Sequence, residues 1–324
     1  MAQATYLEAI RQALWEEMER DSSVFLMGED IGAYGGAFNV TAGVLARFGA
    51  ERVIDTPIVE SGMMGAAAGA ALMGLRPVVE IQFIDFIANA FDQLVNFVAK
   101  SHWRSGQPMP LVVRGPSGGG VRAGPFHSQN PEGWFQHVPG LKVVQPSTAY
   151  DAKGLLKAAI RDPDPVLYLE HKMLYRRVKD EVPAADYEVP IGTAAIRRHG
   201  QDLSIFTYGA MVHRCLEAAA VLAENDIEAE VVDLRTLLPL DQRTMIESVH
   251  RTSKAMIVHE ATQTGGVGAE VAARLAATAF EFLDGPIVRV AAKDCAVPYS
   301  APLEDAFMPQ LEDVVRAGEE LAAY

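Results

Sequence analysis

The chain has 324 residues, 49% of them hydrophobic and 22% charged, with 28 lysines and arginines against 42 acids and a formal net charge of −14. These numbers exclude a disordered polymer and leave room for two domains with sizeable cores. The acidic balance argues against nucleic-acid binding and anionic membrane surfaces, and it suits a basic protein partner.

Cys215 and Cys295 lie far apart with no metal-type spacing, which reads as two free thiols in a reducing compartment. The opening MAQATYLEAIRQ has no apolar signal core, and no run approaches the ~20 apolar residues of a membrane helix. A cytoplasmic protein is expected.

Thr5 and Glu8 have capping-box spacing, and Leu7, Ile10, Leu14 and Met18 repeat at helical intervals, so a helix is predicted from Thr5 to Arg20. A strand at Val24–Met27 runs into Gly28-Glu29-Asp30. After a glycine-rich loop and a short helix from Thr41 to Phe48, Val53 and Ile54 begin a strand that opens into DTPIVE at 55–60. From Gly62 to Leu75 the chain carries no charge and is built largely of Gly, Ala and Met, and it reads as a fully buried helix with Glu60 held at its start. Glu60 is either a helix-start anion favoured by the dipole or a catalytic carboxylate.

Pro77–Phe83 is predicted as a strand, Phe86–Lys100 as a helix, Leu111–Arg114 as a strand ending in a glycine loop, and Lys142–Gln145 as a strand. A helix at Asp151–Arg161 and a strand at Val166–Leu169 follow. Charges and prolines from Tyr175 to Gln201 read as a linker with one strand at most. A second unit then has strands at Leu203–Thr207, Glu230–Val232, Ala255–Val258 and Ile287–Val290, with helices at Val212–Glu224, Gln242–Arg251 and Gly268–Leu283. Apolar strands alternating with helices predict an α/β fold with a parallel sheet, whose ligands gather at the carboxyl ends of the strands. The expected division is a first domain over 1–180, a linker over 181–198 and a second domain over 199–324.

The loop Gly115–Gly124 lacks the Gly-Lys-Ser/Thr of a P-loop, and Gly118–Ala123 meets a GxGxxA pattern without the acidic residue that binds ribose. It reads as a loop carrying Arg122 and His127 over a site. His127 is the histidine suited to deliver a proton near neutral pH, or else a solvated surface group, while His259 reads as structural. No zinc spacing and no GxSxG elbow is present.

Taken together, GED at 28–30, DTPIVE at 55–60, GLRPVVEIQF at 74–83, FDQ at 91–93, HSQ at 127–129, PGLKVV at 139–144, DAKGLLKAAIRD at 151–162 and DLRTLLPLD at 233–241 resemble one family along the whole chain. That family is the beta subunits of the decarboxylating component of 2-oxo acid dehydrogenase complexes. The resemblance implies a thiamine-diphosphate pyrimidine-binding domain followed by a transketolase C-terminal-like domain. It also implies that Glu60 meets the cofactor's aminopyrimidine ring nitrogen and favours the tautomer that deprotonates the thiazolium carbon. Phe86 would stack on the pyrimidine, Gln82 would touch it, and His127 would aid acyl transfer to a lipoyl arm.

No GDG motif for a magnesium-bound diphosphate occurs in the chain. The resemblance therefore implies an alpha subunit that holds magnesium and diphosphate, in an α2β2 heterotetramer. It further implies a potassium site at Leu111, Ala159, Ile160, Asp162 and Asp164, an acidic path through Glu29 and Asp92, and docking of the lipoyl acyltransferase core on the acidic C-terminal segment. The substrate expected first is a branched-chain 2-oxo acid of the 2-oxoisovalerate type, then pyruvate, then acetoin. A catalytically silent structural subunit is the reading from another class.

Overall fold

The computed structural model describes residues 2–324. It divides into two compact units: the chain up to Ser117 with Trp134–Ile191, and Gly118–Gly133 with Gly192–Tyr324.

In the first unit β1 (Ala2–Thr5) leads into α1 (Tyr6–Arg20). Here the capping box forms, with the Glu8 amide donating to Thr5 Oγ1 at 3.2 Å and the Thr5 amide donating to Glu8 Oε2 at 2.7 Å. The strands β2 (Val24–Gly28) and β3 (Val53–Asp55) are separated by the short α2 (Val44–Phe48). Next come α3 (Glu60–Leu72) and β4 (Arg76–Glu80).

The predicted helix at Phe86–Lys100 is not one regular element. Ile84–Ala90 is 3₁₀, Gln93–Val98 widens to a π-helix, and only α4 (Ala99–Ser105) is α-helical again. β5 (Val112–Ser117) extends through Gly115 and Pro116, beyond the expected end at Arg114. After α5 (Glu132–Gln136) come β6 (Lys142–Val144), α6 (Ala149–Arg161), β7 (Val166–His171) and α7 (Leu174–Arg177). β8 (Lys179–Val182) falls inside the stretch expected as linker and pairs antiparallel with β1.

The parallel strands of this unit stand in the order β6-β7-β5-β4-β2-β3. β2 therefore has its successor β3 on one side and β4 on the other. The connection leaving β2 runs to β3 on one side while that leaving β4 runs to β5 on the other, and this divergence between β2 and β4 opens the crevice where α/β sheets take ligands. Gly28 makes the close approach possible, since a Cβ on it would stand 2.8 Å from the Glu80 carbonyl.

The second unit holds β9 (Ala195–Arg198), β10 (Leu203–Thr207), α8 (Met211–Ala223), β11 (Ala229–Asp233), β12 (Thr236–Leu238), α9 (Gln242–Thr252), β13 (Ala255–Thr262), α10 (Val267–Thr278), β14 (Val288–Ala292), α11 (Ala301–Phe307) and α12 (Leu311–Ala322). Its five-stranded sheet runs β14-β13-β10-β11-β9. All pairings are parallel except β11 with β9, the other strand hidden in the supposed linker. The core between α8, α12 and the sheet is formed by Leu203, Ile205, Cys215, Leu222, Val231 and Val314 among others. The second switch point lies between β10 and β13.

Candidate functional site

Glu60 is buried at the first position of α3, with Oε2 accepting from Asn89 Nδ2 at 3.4 Å. Val59 offers no side-chain cap, so the carboxylate is the anion at this helix start. α3 packs on the Ile84–Ala90 segment, which brings both Asn89 and Phe86 to the crevice side of the sheet. Phe86 is 36% exposed in this unit. Gln82 is half-buried in the bend between β4 and that segment.

Glu29 and Glu80 are further buried carboxylates, and Glu29 feels the charges of Glu60 and Glu80. Burial raises the Glu29 carboxyl above its usual range, and the charges of Glu60, Asp30 and Glu80 push it further the same way. Glu29 Oε1 is buried without a hydrogen-bond partner. Glu80 is also raised by burial, partly offset by the buried Arg114 that it bonds. Arg114 Nε donates to Glu170 Oε1 at 2.5 Å and Nη2 to Glu170 Oε2 at 2.8 Å, and Tyr175 donates its hydroxyl to Glu170 at 2.6 Å. A fully buried guanidinium between two carboxylates is tolerable only because each charge has a partner. Asp92, expected on the same path, instead accepts from Asn96 at 2.7 Å on an exposed surface.

α3 is not fully buried, which corrects the sequence reading. Met63, Met64, Ala67, Ala68 and Ala71 face the core, but Gly62, Gly65, Ala66, Gly69, Leu72 and Met73 form an exposed, uncharged face. A Cβ on Gly65 or Gly69 would meet nothing within 4 Å. A helix without charge was read as buried on all sides because its composition is uniformly apolar. Within one chain, half of that apolar surface has no cover.

At the turn expected for potassium, Arg76 Nη1 donates to the carbonyls of Ile160 at 2.8 Å and Asp162 at 3.2 Å. The Leu111 carbonyl accepts from Val166. The Asp162 carboxylate holds Lys142 Nζ at 2.6 and 2.7 Å, and Asp164 meets both Lys142 and His102. Arg76 and Lys142 thus serve the Ile160, Asp162 and Asp164 oxygens, while the Leu111 and Ala159 carbonyls accept from backbone amides.

His127 belongs to the second unit, half-buried on the loop Gly118–Gly133. That loop is held by groups the sequence reading did not single out: Glu132, Glu260 and Glu304, all buried. Glu304 had been counted as part of an acidic surface. Its partners lie more than 180 residues away, a distance over which local pattern carries no signal. His259, read as structural, is buried with Nδ1 3.0 Å from the Ala261 carbonyl, and burial pushes it down to about 4.

Among the described residues no helix is long and apolar enough to cross a membrane, and no group of three or more His, Cys, Asp or Glu is placed to hold a metal ion. Comparison with known proteins accounts for both units. The transketolase pyrimidine-binding domain matches residues 2–178, and the transketolase C-terminal domain matches residues 192–314.

The 2-oxoisovalerate dehydrogenase subunit beta of Bacillus subtilis is 49% identical over 327 residues, covering all of both chains. The pyruvate dehydrogenase E1 component subunit beta of Staphylococcus epidermidis is 46% identical over 317 residues, 97% of each chain. Among solved structures, a split-gene transketolase described as an inactive beta4 tetramer superposes with a TM-score of 0.81 at 24% identity over 98% of each chain, which speaks to the fold. These matches run the length of both units, and the chain belongs to the transketolase-like family of beta subunits of 2-oxo acid dehydrogenase E1 components.

Proposed function

We propose that this chain supplies the pyrimidine half of a thiamine diphosphate site and, with an alpha subunit in an α2β2 assembly, oxidatively decarboxylates a 2-oxo acid. The observation that carries the reading is Glu60: a buried carboxylate at the mouth of α3, on the switch-point crevice, beside an exposed aromatic ring. The donor set fits the aminopyrimidine edge and face of the cofactor. Glu60 offers a carboxyl to a ring nitrogen, Phe86 a stacking face, and Gln82 a polar contact.

When bound, thiamine diphosphate supplies the electron sink for decarboxylation. The protein's part is to keep Glu60 dry, so that its hydrogen bond is strong, and to fix its direction through Asn89. Glu29, with its proton affinity raised, is a second acid able to exchange a proton near Glu60. The alpha subunit is assigned the magnesium and the diphosphate, for which this chain has no GDG motif. The exposed Gly/Ala face of α3 supports a partner that closes on it. A potassium ion at Leu111, Ala159, Ile160, Asp162 and Asp164 is part of the proposal on oxygen donors alone. An equal Tm in potassium and tetramethylammonium chloride at one ionic strength would remove it.

The substrate proposed is a branched-chain 2-oxo acid of the 2-oxoisovalerate type, after the 49%-identical relative. Pyruvate is the second reading, after relatives at 45–46%. His127 is proposed to assist acyl transfer to the lipoyl group of the acyltransferase core.

Co-expression with an alpha-type subunit and assay against a panel of 2-oxo acids tests the whole reading. Glu60→Gln should leave assembly intact and cut decarboxylation on the order of 10²- to 10⁴-fold, the range for a lost general acid–base group. Near-normal turnover by that variant would sink the assignment.

A further inference from the structure

The second unit has its own switch-point crevice, between the carboxyl ends of β10 and β13, and such crevices are where α/β sheets hold ligands. Here the chain's own loop bonds to β13 through Glu260. Tyr208 follows β10, and Glu260 lies in β13. Glu260 Oε1 accepts from the Gly119 amide at 2.5 Å and from Asn130 Nδ2 at 3.0 Å, so one carboxylate joins both flanks of the loop around His127. The neck is closed by the Gly118 amide donating to the Gln129 carbonyl at 3.0 Å.

On the other side Glu304, in the first turn of α11, accepts from the Gly120 amide at 2.9 Å, the Arg122 amide at 3.2 Å and Arg122 Nη1 at 2.8 Å. Arg122 Nη2 adds Asp305 at 2.8 Å. Gly118, Gly120, Arg122 and Gly124 all have positive φ, and runs with left-handed residues turn amides inward into an anion-binding concavity. In sequence the glycines lack the marks of a phosphate loop and read as a loop carrying Arg122 and His127. In the fold the Gly119 and Gly120 amides are taken by Glu260 and Glu304.

Steric fit agrees. A Cβ on Gly119 would lie 3.0 Å from Met308 Sδ and 3.1 Å from Glu304 Oε1, and one on Gly124 would lie 2.2 Å from the Tyr299 ring. At the end of the loop, Glu132 Oε1 accepts the Tyr208 hydroxyl at 2.9 Å.

We propose that Glu260 and Glu304, with Glu132, are positioning residues whose carboxylates seat this loop as a bound anion would order its receptor, and thereby fix His127 for acyl transfer. The loop is seated by the protein itself before any partner or substrate arrives. This rests on the proposed role of His127, and the test separates the two.

The co-expressed holoenzyme is prepared with Glu260→Gln, Glu304→Gln, Arg122→Ala and His127→Ala. Two measurements are made on each: cleavage by trypsin after Arg122, and turnover measured once with an artificial electron acceptor and once with a free lipoyl domain. Arg122→Ala removes that cleavage site, so it is read by kinetics alone and serves should a carboxylate variant fold poorly.

In the two Gln variants, cleavage should accelerate about tenfold, the effect of losing one charge-assisted hydrogen bond. Lipoyl-domain turnover should fall by a similar factor, with the artificial-acceptor rate within about twofold of the unaltered enzyme. Unchanged protection and unchanged lipoyl turnover in the Gln variants, with His127→Ala impaired, overturns the seating inference and spares the role of His127. Faster cleavage with lipoyl turnover intact in every variant, His127→Ala included, overturns the positioning role by removing the function of the residue it serves.

Discussion

Glu132 shows what a single buried acid does to the molecule. Burial raises its carboxyl to about 7 from an ordinary value of 4.5; hydrogen bonds from the backbone and Tyr208 oppose the rise, and the charge of Glu260 adds to it. Between pH 4.5 and 7 the folded chain keeps a proton that the unfolded chain has released. The associated stability is thus fully present below pH 4.5 and is lost as pH rises through 7, an effect on the order of 3 kcal/mol. Glu132→Gln still accepts from Tyr208 and cannot ionise. From pH 5 to 8 the Tm of the unaltered protein should decline relative to that of the variant; parallel curves would refute the assignment. His259, held low by burial, acts in the opposite sense as pH falls below 6.5, but it is common to both proteins and cancels. Glu60 was legible in the sequence because a lone carboxylate opens a charge-free run. Glu132 and Glu260 were not, since what makes them unusual is a partner such as Asn130, 130 residues from Glu260.

At the scale of elements, the parallel strands were legible as short apolar runs because both faces of such a sheet are buried. β1 and β8 were not: Ala-Gln-Ala-Thr is short and carries no large apolar side chain, Lys-Asp-Glu-Val lacks alternation, and their mutual pairing makes them strands. The helical stretch from Ile84 to Ser105 passes from 3₁₀ through a short α segment to π and back to α, which a residue count at 3.6 per turn cannot anticipate. For α3, composition gave the helix and its apolar character but not which face the single chain covers. Gly65 and Gly69 sit on the open face with room for a side chain, so the glycines serve nothing inside this chain. Replacing either with Leu should raise the Tm of the isolated chain, since glycine costs a helix interior roughly 0.5–1 kcal/mol. The same change should abolish assembly with the alpha subunit, read by size-exclusion chromatography. A lowered Tm would mean the face is packed within the chain, and normal assembly would mean the partner closes elsewhere.

Over the whole molecule the formal charge of −14 is the property most visible in sequence, yet the structure changes where it acts. Six acids follow Leu303, and they had suggested one continuous docking surface. Glu304 is buried under the glycine loop, Asp305 is paired with Arg122, and Asp313 is paired with Arg316 while capping α12 through Gln310. That leaves Glu312, Glu319 and Glu320 exposed along α12, of which Glu319 accepts from Asn225 at 3.0 Å. If a basic subunit-binding domain of the acyltransferase core docks here, these three carry the attraction. Exposed charges are screened beyond about 8 Å at physiological ionic strength, and their complementarity chiefly governs the rate of encounter. Changing all three to Gln should slow association with that domain, weaken its dependence on salt, and leave Tm and the protection of Arg122 unchanged, because none of them touches the loop. Association that keeps its rate and salt dependence in the triple variant would place the docking surface away from α12. Loss of protection at Arg122 would instead mean that the acids of α11 and α12 work as one electrostatic unit, which their separate hydrogen-bond partners argue against.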